Sequence, residues 1–223
     1  MEKNNTINFD HWFFDLDNTL YCANSGIFDQ IHERMSLYIS KKLNINIKEA
    51  KFLQKKYFIE NGTTLHGLML NHKIKPEEFL YFVHDINFDV VKPDEKLNKL
   101  IKKIAKKKII FTNADMAYVE KILNKLKLDN VFYDIFDIKK MDYIPKPNVI
   151  TYKKLINTYK VKTYKAILFD DIPQNLITAS KLGLKTVQVY NKKLDKELNG
   201  RSKKIDYMTN NLKEFLQKWI TTN

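Results

Sequence analysis

The sequence predicts an α/β fold: a parallel sheet layered with helices, with a small helical cap inserted after the first strand. Three observations carry this prediction. Apolar runs of strand length alternate with stretches of helical periodicity, most of those runs end in polar groups, and the interval after the first run is far too long for one crossover.

The first strand is expected at His11-Trp12-Phe13-Phe14, an unbroken aromatic run of the kind buried on both faces, followed at once by Asp15-Leu16-Asp17-Asn18-Thr19. Lys108-Ile109-Ile110-Phe111 is the second and ends in Thr112-Asn113. Ala166-Ile167-Leu168-Phe169 is the third and ends in Asp170-Asp171, and Thr186-Val187-Gln188-Val189 is the fourth, between Gly183 and Asn191. Helical patterns fill the intervals at 94–105, 117–126 and 148–159, and a further helix over 173–182 is opened by Pro173 and stopped by Gly183. Ligands of such sheets sit beyond the carboxyl ends of the strands, which is where these polar clusters fall.

From Asp17 to Lys108 the chain runs about 90 residues, several times an ordinary connection. The excess reads as an insert with its own helical stripes: Ile31-Met35-Tyr38-Ile39, Phe52-Tyr57-Ile59, Leu65-Leu68-Met69 and Phe79-Phe82-Val83. The expected division is a catalytic core of residues 1–21 and 93–223 with a helical cap of residues 22–92.

Composition narrows the function. Lys and Arg number 39 against 26 Asp and Glu, a net charge of +13, yet only Arg34 and Arg201 are arginines. The guanidinium fork that reads phosphates and base edges is nearly absent and the lysines are spread along the chain, so no nucleic-acid partner is expected. One cysteine, Cys22, excludes an internal disulfide and, with five scattered histidines, leaves no zinc site. No stretch approaches the roughly 18 apolar residues of a membrane span, and the first residues lack an apolar signal segment, so a cytoplasmic protein with no membrane partner is expected.

Two carboxylates two residues apart beyond a buried strand, facing another acidic pair, repel one another. A hard dication is their natural partner, and an all-oxygen ligand set selects Mg²⁺. Thr112, Asn113 and a lysine can bind the oxygens of a phosphoryl group beside it. Lys146, stiffened between Pro145 and Pro147, is the candidate lysine.

In this order, strand then DLDNT, strand then TN, a proline-framed lysine, and strand then DD resemble the signature of the haloacid dehalogenase superfamily of phosphatases and phosphotransferases, over nearly the whole chain. The resemblance implies a Rossmann-like core. It makes Asp15 the nucleophile and Asp17 the general acid and base, with Thr112 and Lys146 on the phosphoryl group. Its metal set is Asp15, Asp17, Asp170 and Asp171, with Asp171 the direct ligand and Asp170 behind it, or the reverse. The dehalogenase branch lacks an acid at the position of Asp17, so phosphate esters are the expected substrates.

The segments WFFDLDNTLY, NGTTLHGL, FVHDIN, IIFTN, FDIFDI, PKP and FDDIPQNL also resemble the pyrimidine 5′-nucleotidase branch, which implies a nucleoside monophosphate such as UMP or CMP as the small-molecule partner. Ala114 stands where relatives often carry glycine, and Asn175 where many have another acid. Within the cap, Gly62 to Gly67 admits two readings. It is a specificity loop in which Thr64, His66 and Gly67 meet substrate, or Gly62 ends one helix and Thr63 caps the next. Tyr21 and Cys22 are expected along the route from core to cap, and His84 as a hydrogen-bonded hinge residue. Two alternatives stay open: a phosphatase of another metabolite such as a phosphosugar or phosphoglycolate, and a lysine-rich nucleic-acid-binding protein with an inactive core.

Overall fold

The computed structural model of the chain describes residues 8–190 and 204–221. Its strands are β1 (His11–Phe14), β2 (Lys107–Phe111), β3 (Asp134–Phe136), β4 (Ala166–Asp170), β5 (Lys185–Val189) and β6 (Tyr207–Thr209). They form one sheet in the order β3-β2-β1-β4-β5-β6, with every neighbouring pair parallel. The four expected strands are present. β3 and β6 were not expected, because three residues with little apolar pattern give no periodicity to read. Asn191 and Arg201 lie outside the described residues.

The helices are α1 (Ile27–Leu43), α2 (Ile47–Asn61), α3 (Thr64–His72), α4 (Pro76–Val83), α5 (Glu95–Lys103), α6 (Met116–Leu126), α7 (Val149–Tyr159), α8 (Pro173–Lys181) and α9 (Leu212–Thr221). Both faces of the sheet are covered, which is why β1 and β4 read as unbroken apolar runs. Trp12, Phe14, Ile167 and Phe169 pack with Leu97 and Ile101 of α5, Val119 and Ile122 of α6 and Leu216 of α9. The alternate residues Phe13, Ile109 and Leu168 pack with Tyr152 and Leu155 of α7 and Leu176 of α8. Helix starts follow their caps. Asp94 accepts from Leu97 N at 3.0 Å before α5, Asn148 accepts from Ile150 N at 3.0 Å before α7, and proline opens α4 and α8.

Helices α1 to α4 occupy the long interval between β1 and β2 and share a separate apolar cluster, with Tyr38, Tyr57, Leu68, Phe79 and Val83 at its centre and Ile138 joining it from beyond β3. One expected stripe is wrong. Phe52 and Ile59 of α2 are 71% and 69% exposed, and the inward positions are Ala50, Gln54 and Tyr57. The inward face is masked in sequence because its middle member is polar. Gln54 is tolerated there because its Oε1 accepts from Ser36 Oγ at 2.6 Å.

Candidate active site

The sheet register creates the site. Phe14 lies level with Phe169 on one side and with Ile110 on the other, so Asp15, Asp170 and Phe111 emerge side by side at the carboxyl ends of β1, β4 and β2. The ladder continues one residue past β1, since Asp15 N donates to Phe169 O at 2.8 Å, and the backbone of Asp15 is therefore fixed by the sheet.

Lys146 reaches all three strand ends. Its Nζ donates to Asp15 Oδ1 at 2.8 Å, Phe111 O at 2.8 Å and Asp170 Oδ2 at 2.7 Å. An ammonium has three donors, and all three are used. The side chain is buried, so its charge needs these partners, and Asp15 and Asp170 hold the lysine pKa above its ordinary value despite desolvation. The loop carrying it is tied down at several points. Asn113 Oδ1 accepts from Lys146 N at 2.8 Å and Asn113 Nδ2 donates to Lys146 O at 3.3 Å, while Thr178 Oγ1 donates to Pro147 O at 3.0 Å. Asn113, expected to meet phosphate, also holds the lysine loop through both ends of its side-chain amide. Thr112 is buried beside it, its Oγ1 accepting from Ala114 N at 3.1 Å.

Asp15, Asp170 and Asp171 each bring one carboxylate oxygen within 4.8 Å of the others. Three carboxylates against one ammonium leave the centre short of positive charge, and its all-oxygen donor set fits a hard dication. Burial raises the Asp15 carboxyl well above its usual range, reinforced by Asp170, Asp171 and Asp17 and opposed by Lys146. Burial and the neighbouring Asp170 push Asp171 up to about 7. Asp170 is heavily committed: besides Lys146 it takes Asn175 Nδ2 on both oxygens, at 2.9 and 3.0 Å, and Ile172 N at 2.9 Å. Asp171 accepts only Asn18 Nδ2, at 3.1 Å, among the described residues.

Asp17, expected among the metal ligands, is not part of that carboxylate grouping. Its Oδ1 instead accepts from Tyr21 OH at 2.5 Å and Tyr118 OH at 3.0 Å. Burial raises its pKa while these two bonds pull the other way. Sequence reasoning did not find Tyr118 or Asn175. Asn175 was noted only for what it replaces, and nothing local marks a tyrosine 101 residues beyond its partner.

The expected specificity loop has the second of its two readings as its local structure. Gly62 is the C-cap of α2 at φ +80°, and Thr63 caps α3, its Oγ1 accepting from His66 N at 3.1 Å. Thr64 is buried and donates to Gln54 O at 3.1 Å, and a Cβ at Gly67 would lie 2.4 Å from the Tyr57 side chain. Both residues are therefore used in packing helices α2 and α3. His66 remains half-buried, with Nδ1 3.2 Å from Tyr143 O. Tyr21 is buried, Cys22 is exposed, and His84 Nδ1 lies 2.9 Å from Asp115 Oδ1.

The parallel sheet presents, at the ends of its central strands, an acidic centre around one buried lysine. The chain belongs to the haloacid dehalogenase-like hydrolase family, whose model matches residues 9–183. Phosphate metabolism protein 8 of Saccharomyces cerevisiae is 26% identical over 193 residues, which cover 78% of this chain and 59% of that protein, so the chain spans little more than half its relative's length. Among solved structures, the HAD phosphatase of Thermococcus onnurineus superposes with a TM-score of 0.64 at 17% identity, covering 94% of this chain and 97% of that one. YfnB of Bacillus subtilis, bound to magnesium, does so with a TM-score of 0.62 at 14% identity, covering 95% and 99%. Dehalogenases share the fold at similar levels, so the fold by itself does not choose the leaving group. Among the described residues no helix is long and apolar enough to cross a membrane.

Proposed function

We propose that the protein is a Mg²⁺-dependent phosphomonoesterase working through an aspartyl phosphate on Asp15, with pyrimidine nucleoside 5′-monophosphates as its substrate class. The observation that carries the chemistry is the division of labour among carboxylates: Asp15 is held by a lysine within an acidic centre, while Asp17, two residues on, is held apart by two tyrosines.

Asp15 Oδ1 is turned toward Lys146, and Oδ2 carries no hydrogen bond among the described residues, which leaves it available for in-line attack on phosphorus. The bond from phosphorus to the leaving oxygen breaks as that oxygen takes a proton from Asp17. Asp17, now a carboxylate, removes a proton from water, which attacks phosphorus and breaks its bond to Asp15. Lys146 follows the charge on the transferring group, and Thr112 offers a hydroxyl at the end of β2. Asp15 and Asp171, with Asp170 behind them, would hold a magnesium ion, which would supply charge neutralisation for the phosphoryl oxygens. Asp171 suits direct ligation because it has fewer competing bonds than Asp170.

The nucleotide preference rests on the sequence segments shared with the pyrimidine 5′-nucleotidase branch, in core and cap together. Residues 22–92 act as the cap over the core of residues 1–21 and 93–223, a division supported by the separate apolar cluster of α1 to α4. With Thr64 and Gly67 taken up in helix packing, His66 is the remaining cap candidate for contact with a base.

The test is a screen of nucleoside monophosphates, phosphosugars and phosphoglycolate with and without Mg²⁺. UMP and CMP are expected to be hydrolysed fastest, and only with the metal. Faster turnover of phosphosugars would replace the substrate, and turnover unaffected by chelation would remove the metal.

A further inference from the structure

Asp17 is held from two places in the chain, the segment that leaves β1 for the insert and helix α6, which follows β2. Tyr21 lies four residues beyond Asp17, where the chain leaves β1, and donates to Asp17 Oδ1 at 2.5 Å. Tyr118, in the first turn of α6, donates to the same atom at 3.0 Å, and the two hydroxyls are 3.1 Å apart. Oδ2 accepts no hydrogen bond among the described residues. Two phenols on one oxygen leave a carboxyl group little freedom to rotate and turn its other oxygen outward.

Tyr118 is itself braced from the insert side. Its ring centroid lies 4.3 Å from that of His84, the residue that ends α4, and 5.7 Å from that of Phe88. His84 Nδ1 lies 2.9 Å from Asp115 Oδ1, the oxygen that also accepts from Tyr118 N at 3.4 Å. Tyr118 is 1% exposed and Tyr21 9%, so neither hydroxyl is a surface group that meets Asp17 by chance. A buried tyrosine needs a hydrogen-bond partner, but a carbonyl would have served. Convergence of two on a single carboxylate oxygen is a built arrangement.

We propose that Tyr21 and Tyr118 are positioning residues for Asp17: they anchor it by Oδ1 so that Oδ2 faces the leaving oxygen, and His84, seated on Tyr118, makes that alignment depend on the insert being docked. The inference rests on the reading of Asp17 as the proton donor. It extends that reading by assigning the groups that aim the proton and by tying aim to cap position.

The discriminating measurement is release of the leaving group in the first turnover, with Mg²⁺ present, from two kinds of ester. UMP and glycerol phosphate lose an alkoxide, which needs a proton, whereas p-nitrophenyl phosphate loses a phenolate that leaves without one. Asp17→Asn is expected to slow the alkyl esters by about 10²-fold and the aryl ester by less than about threefold. The double variant Tyr21→Phe/Tyr118→Phe keeps both rings and removes both hydroxyls. It is expected to slow the alkyl esters by about 10-fold or more with KM within about twofold, to leave the aryl ester nearly unchanged, and to add nothing further in an Asp17→Asn background. His84→Ala is expected to give the same selectivity at about threefold.

The aryl ester also reports whether each variant has folded, and Tyr118→Phe alone serves if the double variant does not. Equal losses on both ester types, or losses that multiply with Asp17→Asn, would overturn the positioning role while leaving the phosphatase reading in place. An Asp17→Asn variant without leaving-group dependence would remove Asp17 as the donor and take this inference with it. Selective loss in the tyrosine variants but not in His84→Ala would overturn the link to the insert.

Discussion

The two sides of the acidic centre are built differently. Asp15 and Asp170 grow directly out of paired strands and are joined by a buried ammonium whose three donors are all engaged, so their geometry is inherited from the sheet. Asp17 sits one turn further on, off the ladder, and is fixed by side chains that reach toward the inserted helices. Groups that must hold charge in one place are mounted on the rigid element. In the proposed reaction, the group that would move a proton is mounted where contacts from the inserted helices can act on it.

Substitutions on the sheet side should have the larger effects. Asp15→Asn is expected to reduce phosphate release by on the order of 10⁴-fold or more, because an amide does not form the covalent intermediate. A steady-state assay checks this, and appreciable residual turnover would show that another group attacks. Lys146→Ala removes the cation that, among the described residues, is bonded to both Asp15 and Asp170. It should cost roughly 3 kcal/mol or more of metal-free stability as well as activity, read from denaturant unfolding beside a rate measurement. If stability is unchanged, the two carboxylates take up protons at little cost once the lysine is gone.

The Asp17 side should be softer. Asp17→Asn is expected to leave the fold intact and cost on the order of 10²-fold in kcat. On the sheet side again, but away from the reacting atoms, Asn175→Ala strips Asp170 of two bonds and should lower stability by about 1–3 kcal/mol in thermal unfolding.

The smallest effect expected is a pH dependence. Asp171 titrates near 7 in the folded chain against 3.8 for an unperturbed carboxyl, so the folded state binds more protons than the unfolded state between those values. The contribution of Asp171 to metal-free stability should therefore fall as pH rises from about 4 to about 7. Mg²⁺ competes for the same oxygen, so its stabilising effect should grow over the upper part of that range. Melting temperatures against pH, with and without Mg²⁺, give both curves. His11 and His32, held below the usual imidazole range by burial, act in the opposite direction over part of this range, so the Asp171 share is read as the difference between the wild type and Asp171→Asn, and an unchanged slope in that variant would contradict the assignment.

The residues that were legible in the sequence are those whose role depends on local order. Asp15 and Asp17 follow a buried strand, Lys146 stands between prolines, and Asp170-Asp171 close a second apolar run, so strand ends could be read without knowing which strands pair. Tyr118 and the clamp that Asn113 makes on Lys146 depend on contacts 101 and 33 residues away, and neither residue type is unusual where it stands. The insert misled for a different reason. In α2 the aromatic residues Phe52 and Phe58 are on the outside, while a glutamine with a serine partner faces in, so apolar spacing pointed to the wrong side. Thr64 looked available because a glycine-rich stretch suggests a loop, and the helix-capping hydroxyl of Thr63 was the signal that it is not.

The central place of β1 in the sheet also has a temporal consequence. Of the six described strands this one is synthesised first, yet one of its two flanking partners is β4, beginning at Ala166. Until β4 has been synthesised, an aromatic strand waits with one edge unpaired. Closure of the sheet must then join segments some 150 residues apart, a non-local pairing of the kind that slows folding. Nascent chains stopped before Asp170 would carry Asp15 without Asp170 and Asp171 beside it, and would be candidates for chaperone capture.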